Sequence, residues 1–538
     1  MVVRPGVIFR ASLPLLLSLS FWLFGCATGD HARLKSGREF FARGDLARAE
    51  TEILSPEVLE IKKSRLQHYL WLASLGMGEE SYEKSLFYLD RARVLALELR
   101  SDRGGFDWLS SEYKSNPIEY SYLHFFLVIS NLMLAERGGT KAWSIPEVRL
   151  KDGTLLIPAR AVPARTYSPK EISDFRIRAR AELLAWNQFL ELLKRTYPGQ
   201  SFYQDDLLAR LLGCFVHGGG SSREERRTGE ILGEMAVGIL EKSSEYPALE
   251  GSKGELLQLA KRLVKRAGHS ESTDPEGMVL IESGLLPELK ERRIVVGLST
   301  LFERIEDPGL RFQLERIGLQ VLLQFAPEFG LVAFTGAVAG AVTSDADHAP
   351  KSISGAIDRS FGFEISFPAM DVSSSPSLDS RLLLVSRDGS RLEYPLSSLS
   401  PIREIFAHEL AVRAEKEWSG KAVKIGLQYL AVLLPAISAY RDAVREGNLF
   451  KKLAILAGFF LAKKAIDRAN APDLRSWSIL PELISGEMLR VPAGAYSATL
   501  LFRGSAGERQ VPLGELNLKP KEPFLLHRRV FVSPSGGL

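Results

Sequence analysis

LKSGREFFARGDLARAETEIL, residues 34–54, sets the reading of the fold. Leu34, Gly37, Phe40 and Phe41 recur at the three- and four-residue spacing that gathers side chains on one helical face. Gly44 and Asp45 supply a turn, because glycine tolerates left-handed backbone and aspartate bonds nearby backbone amides. Leu46, Ala49, Ile53 and Leu54 then begin a second apolar face. A small residue lets two helices approach, an aromatic fills the space beside it, and Gly-Asp reverses the chain. The stretch therefore predicts a closely packed helix hairpin.

Similar pairs are expected downstream. One runs from Leu66, Tyr69, Leu70, Leu72 and Ala73 to Tyr82, Leu86, Leu89, Ala92 and Leu95. A second runs through Tyr120–Leu134 and Ile177–Leu193. A third follows Tyr203, with Leu207, Leu208, Leu211 and Leu212 and then Ala236, Ile239 and Leu240. The first pair resembles a tetratricopeptide unit, with Gly37, Phe40, Phe41, Gly44 and Ala49 as its packing residues. The resemblance implies a helical domain over 26–274 whose curved inner surface binds a protein segment. The polar, proline-containing stretch Arg137–Tyr167 reads as an excursion from the stack.

After Asp274-Pro275 the pattern changes. Met278–Ile281 is a short strand ended by Ser283-Gly284, and Arg293–Val296 reads as its partner. Arg381–Val385 and Arg391–Tyr394 flank Asp388-Gly389, a hairpin signal. Tyr496–Phe502, Glu508–Val511 and Phe524–Val532 read as closing strands, with a helix over Ile402–Trp418 and another from Lys421 that contains Pro435. The expected fold is α+β, mainly α: tetratricopeptide-like helices, then a mixed domain over 275–538 with a small antiparallel sheet, two or more helices and an insertion at 298–361. Asp473, Arg475, Trp477 and Pro481 read either as a brace, with Arg on a carboxylate and Trp capping a core, or as a partner- or glycan-binding edge.

The N-terminus speaks to location. Arg4 and Arg10 precede the apolar run Leu13–Trp22, and Leu23-Phe24-Gly25-Cys26 closes it. A basic start, a short apolar core and a small residue before the cut make a secretory signal over 1–25. The apolar run is shorter than the roughly 20 residues of a spanning helix. With cysteine directly after Gly25, the segment resembles a bacterial lipoprotein signal, which implies diacylation of Cys26 and a membrane anchor without a span. Ala27, in place of an aspartate, points to the outer membrane. Val279–Gly284 with Pro287, Lys290 and Glu291, then Ile365–Pro368, then Asp473–Pro481 with Arg490, Pro492, Gly494 and Tyr496 occur in an order similar to a family of uncharacterised bacterial lipoproteins with tetratricopeptide-like N-terminal helices. That resemblance implies a periplasmic, lipid-anchored protein without assigned chemistry.

Composition narrows the remaining classes. Without Arg4 and Arg10 the 69 basic residues become 67, against 65 acidic ones, so charge gives no argument for nucleic acid. Cys214 is then the sole thiol beside Cys26, and no internal disulfide is expected. His217-Gly218-Gly219-Gly220 is similar to the oxyanion loop of lipase-like hydrolases, with Ser270 downstream, but no apolar strand precedes that serine. His408-Glu409 lacks a second histidine four residues on, and the other histidines show no metal spacing, so no metal or cofactor is expected. Among the apolar stretches, Gly330–Val342, Leu453–Ala462 and Lys421–Tyr440 are expected as buried helices. The expected function is a lipid-tethered scaffold for an envelope protein or peptide. The alternatives are an envelope hydrolase acting on an ester or peptidoglycan through His217 or Ser270, and a membrane-inserted assembly component using residues 421–464.

Cys26→Ser is expected to abolish incorporation of labelled fatty acid and to leave a larger, uncut precursor on a gel. Labelling equal to that of the wild type would exclude a lipid anchor at Cys26.

Overall fold

The structure, a computed structural model, describes residues 28–101, 113–196, 203–242, 252–268, 274–296, 363–370, 379–504 and 507–531. Cys26, Ser270, Gly330–Val342 and the insertion at 298–361 lie outside the described residues. The chain divides into two compact units, one of Met1–Glu288, Val372–Phe406 and Arg475–Leu538, the other of Leu289–Asp371 and Ala407–Leu474. Helices and main sheet share the first unit, so this division does not fall at residue 274.

Residues 34–54 form α1 (Thr28–Ala42) and α2 (Leu46–Ile53). Gly44 takes φ +76° between them, and the Asp45 carboxylate accepts from the Arg48 amide to cap α2. Phe41, Ala49 and Ile53 are fully buried. A Cβ on Gly37 would sit 3.2 Å from Ile53 Cγ1, so a larger residue here would press on the Ile53 side chain. Phe40 is only half-buried and lies under the Arg48 guanidinium.

Eight helices follow among the described residues of this unit: α3 (Pro56–Leu59), α4 (Arg65–Gly78), α5 (Tyr82–Ser101), α6 (Pro117–Arg137), α7 (Pro169–Thr196), α8 (Leu207–Gly218), α9 (Arg223–Glu241) and α10 (Lys253–Gly268). From α4 to α10 each packs on the next in sequence. Asn116 and Glu119 form a capping box at the start of α6, and Gly138 ends it at φ +61°. That helix is apolar and long enough to cross a membrane, yet 94% of its apolar window is buried here; it is the central core helix. Two close crossings rest on glycine. A Cβ on Gly76 would lie 2.8 Å from the Ser85 amide nitrogen, and one on Gly229 would lie 2.5 Å from that of Gly218.

The expected excursion is a folded β arm. Strands β1 (Gly139–Thr140), β2 (Trp143–Ile145), β3 (Val148–Arg149), β4 (Leu155–Ile157), β5 (Arg160–Val162) and β6 (Arg165–Thr166) pair as nested antiparallel ribbons, β1 with β6, β2 with β5 and β3 with β4.

The sheet departs from expectation. Seven strands, β7 (Glu276–Ser283), β10 (Asp379–Ser386), β11 (Arg391–Ser400), β12 (Leu483–Arg490), β13 (Gly494–Gly504), β14 (Gly507–Leu518) and β15 (Phe524–Val530), run in the order β14-β13-β10-β11-β12-β7-β15. The protein is mixed α+β, 56% helical and 23% strand, with a near-barrel sheet rather than a small one. Nor is it wholly antiparallel, because β15 joins β7 in parallel. Val279, Ile281, Leu382, Leu384, Ala498, Leu500, Phe502, Phe524 and Leu526 alternate along their strands and fill its interior. The expected β7 partner, β8 (Lys290–Val296), instead pairs with β9 (Phe363–Ala369) in the second unit. Gly284, at φ +69°, turns the chain away after Ser283, and the Leu286 amide bonds the Leu480 carbonyl.

In the second unit the β8–β9 ribbon packs with α11 (Ile402–Arg445) and α12 (Leu449–Ala469). The opening residues of α11, through Phe406, belong to the first unit. The two helices expected after residue 402 are one of 44 residues; Gly420 does not break it, since an interior glycine costs only about 1 kcal/mol. Ala422, Ile425, Tyr429, Leu430 and Leu433 of α11 are buried with Phe363, Ile365 and Phe367, as expected for a core helix. The expectation fails for α12, where Phe459 alone is buried among the described side chains.

The two kinds of helical glycine are separable by calorimetry. Gly76→Ala should cost about 1–3 kcal/mol through overpacking against Ser85. Gly238→Ala, which meets nothing within 4 Å, should stabilise by about 0.5–1 kcal/mol. Equal effects at the two sites would contradict the close α4–α5 crossing.

Candidate functional site

The Arg475–Pro481 segment precedes β12 and threads into the helices. Trp477 is fully buried. Its amide donates to Glu119 Oε1 at 2.6 Å, its indole nitrogen donates to Ser74 Oγ at 2.9 Å, and its ring packs on Phe126 with centroids 5.2 Å apart. Arg475 donates to the Lys63 carbonyl at 2.8 Å, and Gln67 donates to that of Ser476 at 2.6 Å. Pro481 is buried; Asp473 belongs to the second unit. Arg475 and Trp477 thus tie α4 and α6 to the sheet. Gly44 lies against Phe531, whose ring meets Phe41 edge-on at 5.2 Å.

His217 is not set in an oxyanion loop. It is buried at the end of α8, burial first and Arg180 second lower its pKa, and Nε2 has no hydrogen-bond partner. Gly218 serves the crossing with Gly229, and a Cβ on it would lie 2.9 Å from that of Ala267.

A polar cluster that the sequence did not reveal lies between sheet and helices. Glu282, His527 and Arg529 project from β7 and β15 toward the helices and are nearly or fully buried. Arg529 and Glu282 are register partners and pair at 3.0 Å. His527 Nε2 lies 2.7 Å from Glu282 Oε1, and its Nδ1 lies 3.4 Å from the Tyr82 hydroxyl. Arg529 also donates to the Ile479 carbonyl and stands over the Phe41 ring. Burial first pushes the Tyr82 phenol up to about 12, which keeps it a neutral hydrogen-bonding group.

Tyr82 also reaches the wall of a cleft of about 620 Å³. The last turn of α6 supplies Leu134, Glu136 and Arg137. The arm supplies Gly139–Lys141 and Arg165, and the α4–α5 turn supplies Glu80. The two edges of the sheet complete it, through Glu515–Leu518 of β14 and Phe524–Leu526 with Arg528 of β15. Here the near-barrel has its seam, and the Arg528 guanidinium donates across it to the Leu513 carbonyl at 3.0 and 3.3 Å.

Glu80 is the hub of the cleft. It accepts from Arg137 and faces Arg528 at 3.3 Å and Lys141 at 3.4 Å. Burial alone would raise its carboxyl, but the Arg137 hydrogen bond and the three cations outweigh burial and hold it below the usual range. Arg137 also covers the Tyr82 ring at 4.8 Å. Glu136 is the opposite case. The residue is open to the cleft, yet protein crowds its carboxyl, and this desolvation, opposed by Arg176, raises it to about 7. Among the described residues no group of three or more His, Cys, Asp or Glu could hold a metal ion.

No family model, curated protein or solved structure matches this chain.

None of the charged cleft residues stood out in the sequence. Their one local signal was Gly138 after Arg137, which marks a helix end, and a helix end does not say what it faces.

Because the Glu136 carboxyl is raised in the fold, the stability it contributes is complete below about pH 4.5 and is lost as pH rises through about 7. Glu136→Gln should remove that decline from the pH dependence of the melting temperature. A carbon-detected titration of the wild-type carboxyl should show a midpoint near 7; a midpoint near 4.5 would mean that water solvates the group fully.

Proposed function

We propose that this chain is a lipid-anchored interaction protein of the bacterial cell envelope, facing the periplasm at the outer membrane and holding a segment of an envelope protein or peptide. The basic start, short apolar run and Gly25-Cys26 support the anchor and the compartment. The motif order, which resembles that of a family of uncharacterised bacterial lipoproteins, is consistent with the same assignment. Close packing at Gly37, Phe41 and Ala49 supports a tetratricopeptide-like character for the first hairpin, and sequence-adjacent packing from α4 to α10 supports a continuous helical surface.

The observation that carries the binding role is the cleft. Leu134, Leu516, Leu518, Phe524 and Leu525 line it beside Arg137, Lys141, Arg165 and Arg528. The lining carboxylates are Glu80, Glu136 and Glu515. Four cationic groups therefore face three carboxylates in the lining. An acidic segment with apolar residues fits such walls, exchanging the internal pairs for its own.

Lys141 and Arg165 are exposed at the rim, with side-chain exposures of 62% and 45%, so their reversal leaves the core intact. In crosslinking of the full chain in intact cells, Lys141→Glu/Arg165→Glu should lose the main envelope partner at least about tenfold, with an unchanged circular dichroism melt. An unchanged crosslink would move the binding surface away from this cleft.

A further inference from the structure

We propose that α12 is a lipid-binding element that lies in the headgroup–acyl boundary of an anionic membrane. Its sequence is LFKKLAILAGFFLAKKAIDRA, residues 449–469. An uncharged run, Leu453–Ala462, stands between Lys451-Lys452 and Lys463-Lys464. Phe450, Leu453, Phe460 and Leu461 are 68%, 57%, 46% and 66% exposed. In the same unit, the most apolar 18 residues within Gly420–Arg445 of α11 have a mean hydropathy of 1.6 and are 38% buried, whereas those of the core helix Pro117–Arg137 have 1.3 and are 94% buried.

Length and charge choose the occupant. A ten-residue helical run extends about 15 Å, half the roughly 30 Å of a hydrocarbon core, so it lies along an interface instead of crossing. Lysines at both ends set their apolar stems along the acyl boundary and their ammonium groups among phosphates. With Arg468 and Asp467 the helix carries five cations and one anion, a net +4, which suits an anionic surface. A second copy suits it less: in a two-fold antiparallel pairing Lys451-Lys452 of one copy would face Lys463-Lys464 of the other. The proposal is independent of a lipid on Cys26.

The test is flotation of the full mature chain carrying Cys26→Ser, with vesicles of phosphatidylglycerol and phosphatidylethanolamine and, separately, of phosphatidylcholine alone. Binding should favour the anionic vesicles, weaken with salt, and fall at least about tenfold in Phe460→Ser/Leu461→Ser. Lys463→Glu/Lys464→Glu should lose the preference for anionic lipid. Phe460, Leu461 and Lys464 are exposed, whereas Lys463 stands 5.9 Å over the Tyr429 ring, so an unchanged melt is required of each variant before its binding is compared. Failure to float, or equal flotation of the serine variant, would overturn the proposal. So would a dimer in sedimentation equilibrium that the serine variant abolishes while vesicles bind neither protein. Capture of the envelope partner at the cleft should survive these changes, which separates this result from that of the binding role.

Discussion

The ion pair of Glu282 with Arg529 is the constraint around which the first unit is arranged. The two residues are register partners on the one parallel ladder among the described residues, β15 with β7. A one-residue slip would turn Arg529 from the helix-facing side into the barrel interior, where Phe524, Leu526 and Val530 pack. A pair buried this deeply repays the desolvation of its charges only when each remaining polar atom finds a partner. Here His527 completes the carboxylate, Tyr82 meets His527, and the Ile479 carbonyl and the Phe41 ring complete the guanidinium. Leaving either charge alone would cost about 3–5 kcal/mol. The cluster therefore specifies one register and one docking of sheet on helices.

That docking creates the cleft. Tyr82 holds His527 with its hydroxyl and lends its ring to Arg137. Arg137 in turn reaches Glu80, which also meets Arg528 from the strand next to the seam. The sheet stops short of closure between β14 and β15, and a guanidinium spans part of the gap where a backbone ladder would otherwise run. Unpaired strand edges invite added chains, and covering charges are a common means of restraining them. The same arginine thus guards the seam and shapes a wall of the cleft.

The second unit poses a different problem. Its ribbon and α11 build a core around Tyr429 and Phe459, while α12 leaves most of its apolar side chains in solvent. A soluble surface normally scatters such residues singly; contiguous ones mark a surface meant to be covered. Lysine pairs at both ends of the run favour a charged interface as that cover.

Local signals settled what local chemistry settles. Glycine, aromatic and Gly-Asp spacing over 34–54 gave the first hairpin, since a turn and a one-sided helix need only neighbouring residues. Asp388-Gly389 likewise marked the β10–β11 turn, where Gly389 takes φ +86°. Leu453–Ala462 was legible as helix but not as exposed, because an apolar run reads alike whether protein or lipid covers it. Strand partners were illegible for β7 and β8, which find theirs between 67 and 247 residues away; hydrophobic alternation fixes a face but not a neighbour. The cleft was hidden for the same reason. Glu80, Arg137 and Arg528 are ordinary surface residue types in sequence, and only the packing of helix end, arm and sheet seam brings their charges within reach of one another. The sequence by itself determined most of the helices and turns and the α+β class; tertiary structure decided pairing, burial and the site, because those depend on contacts between segments that share no local signal.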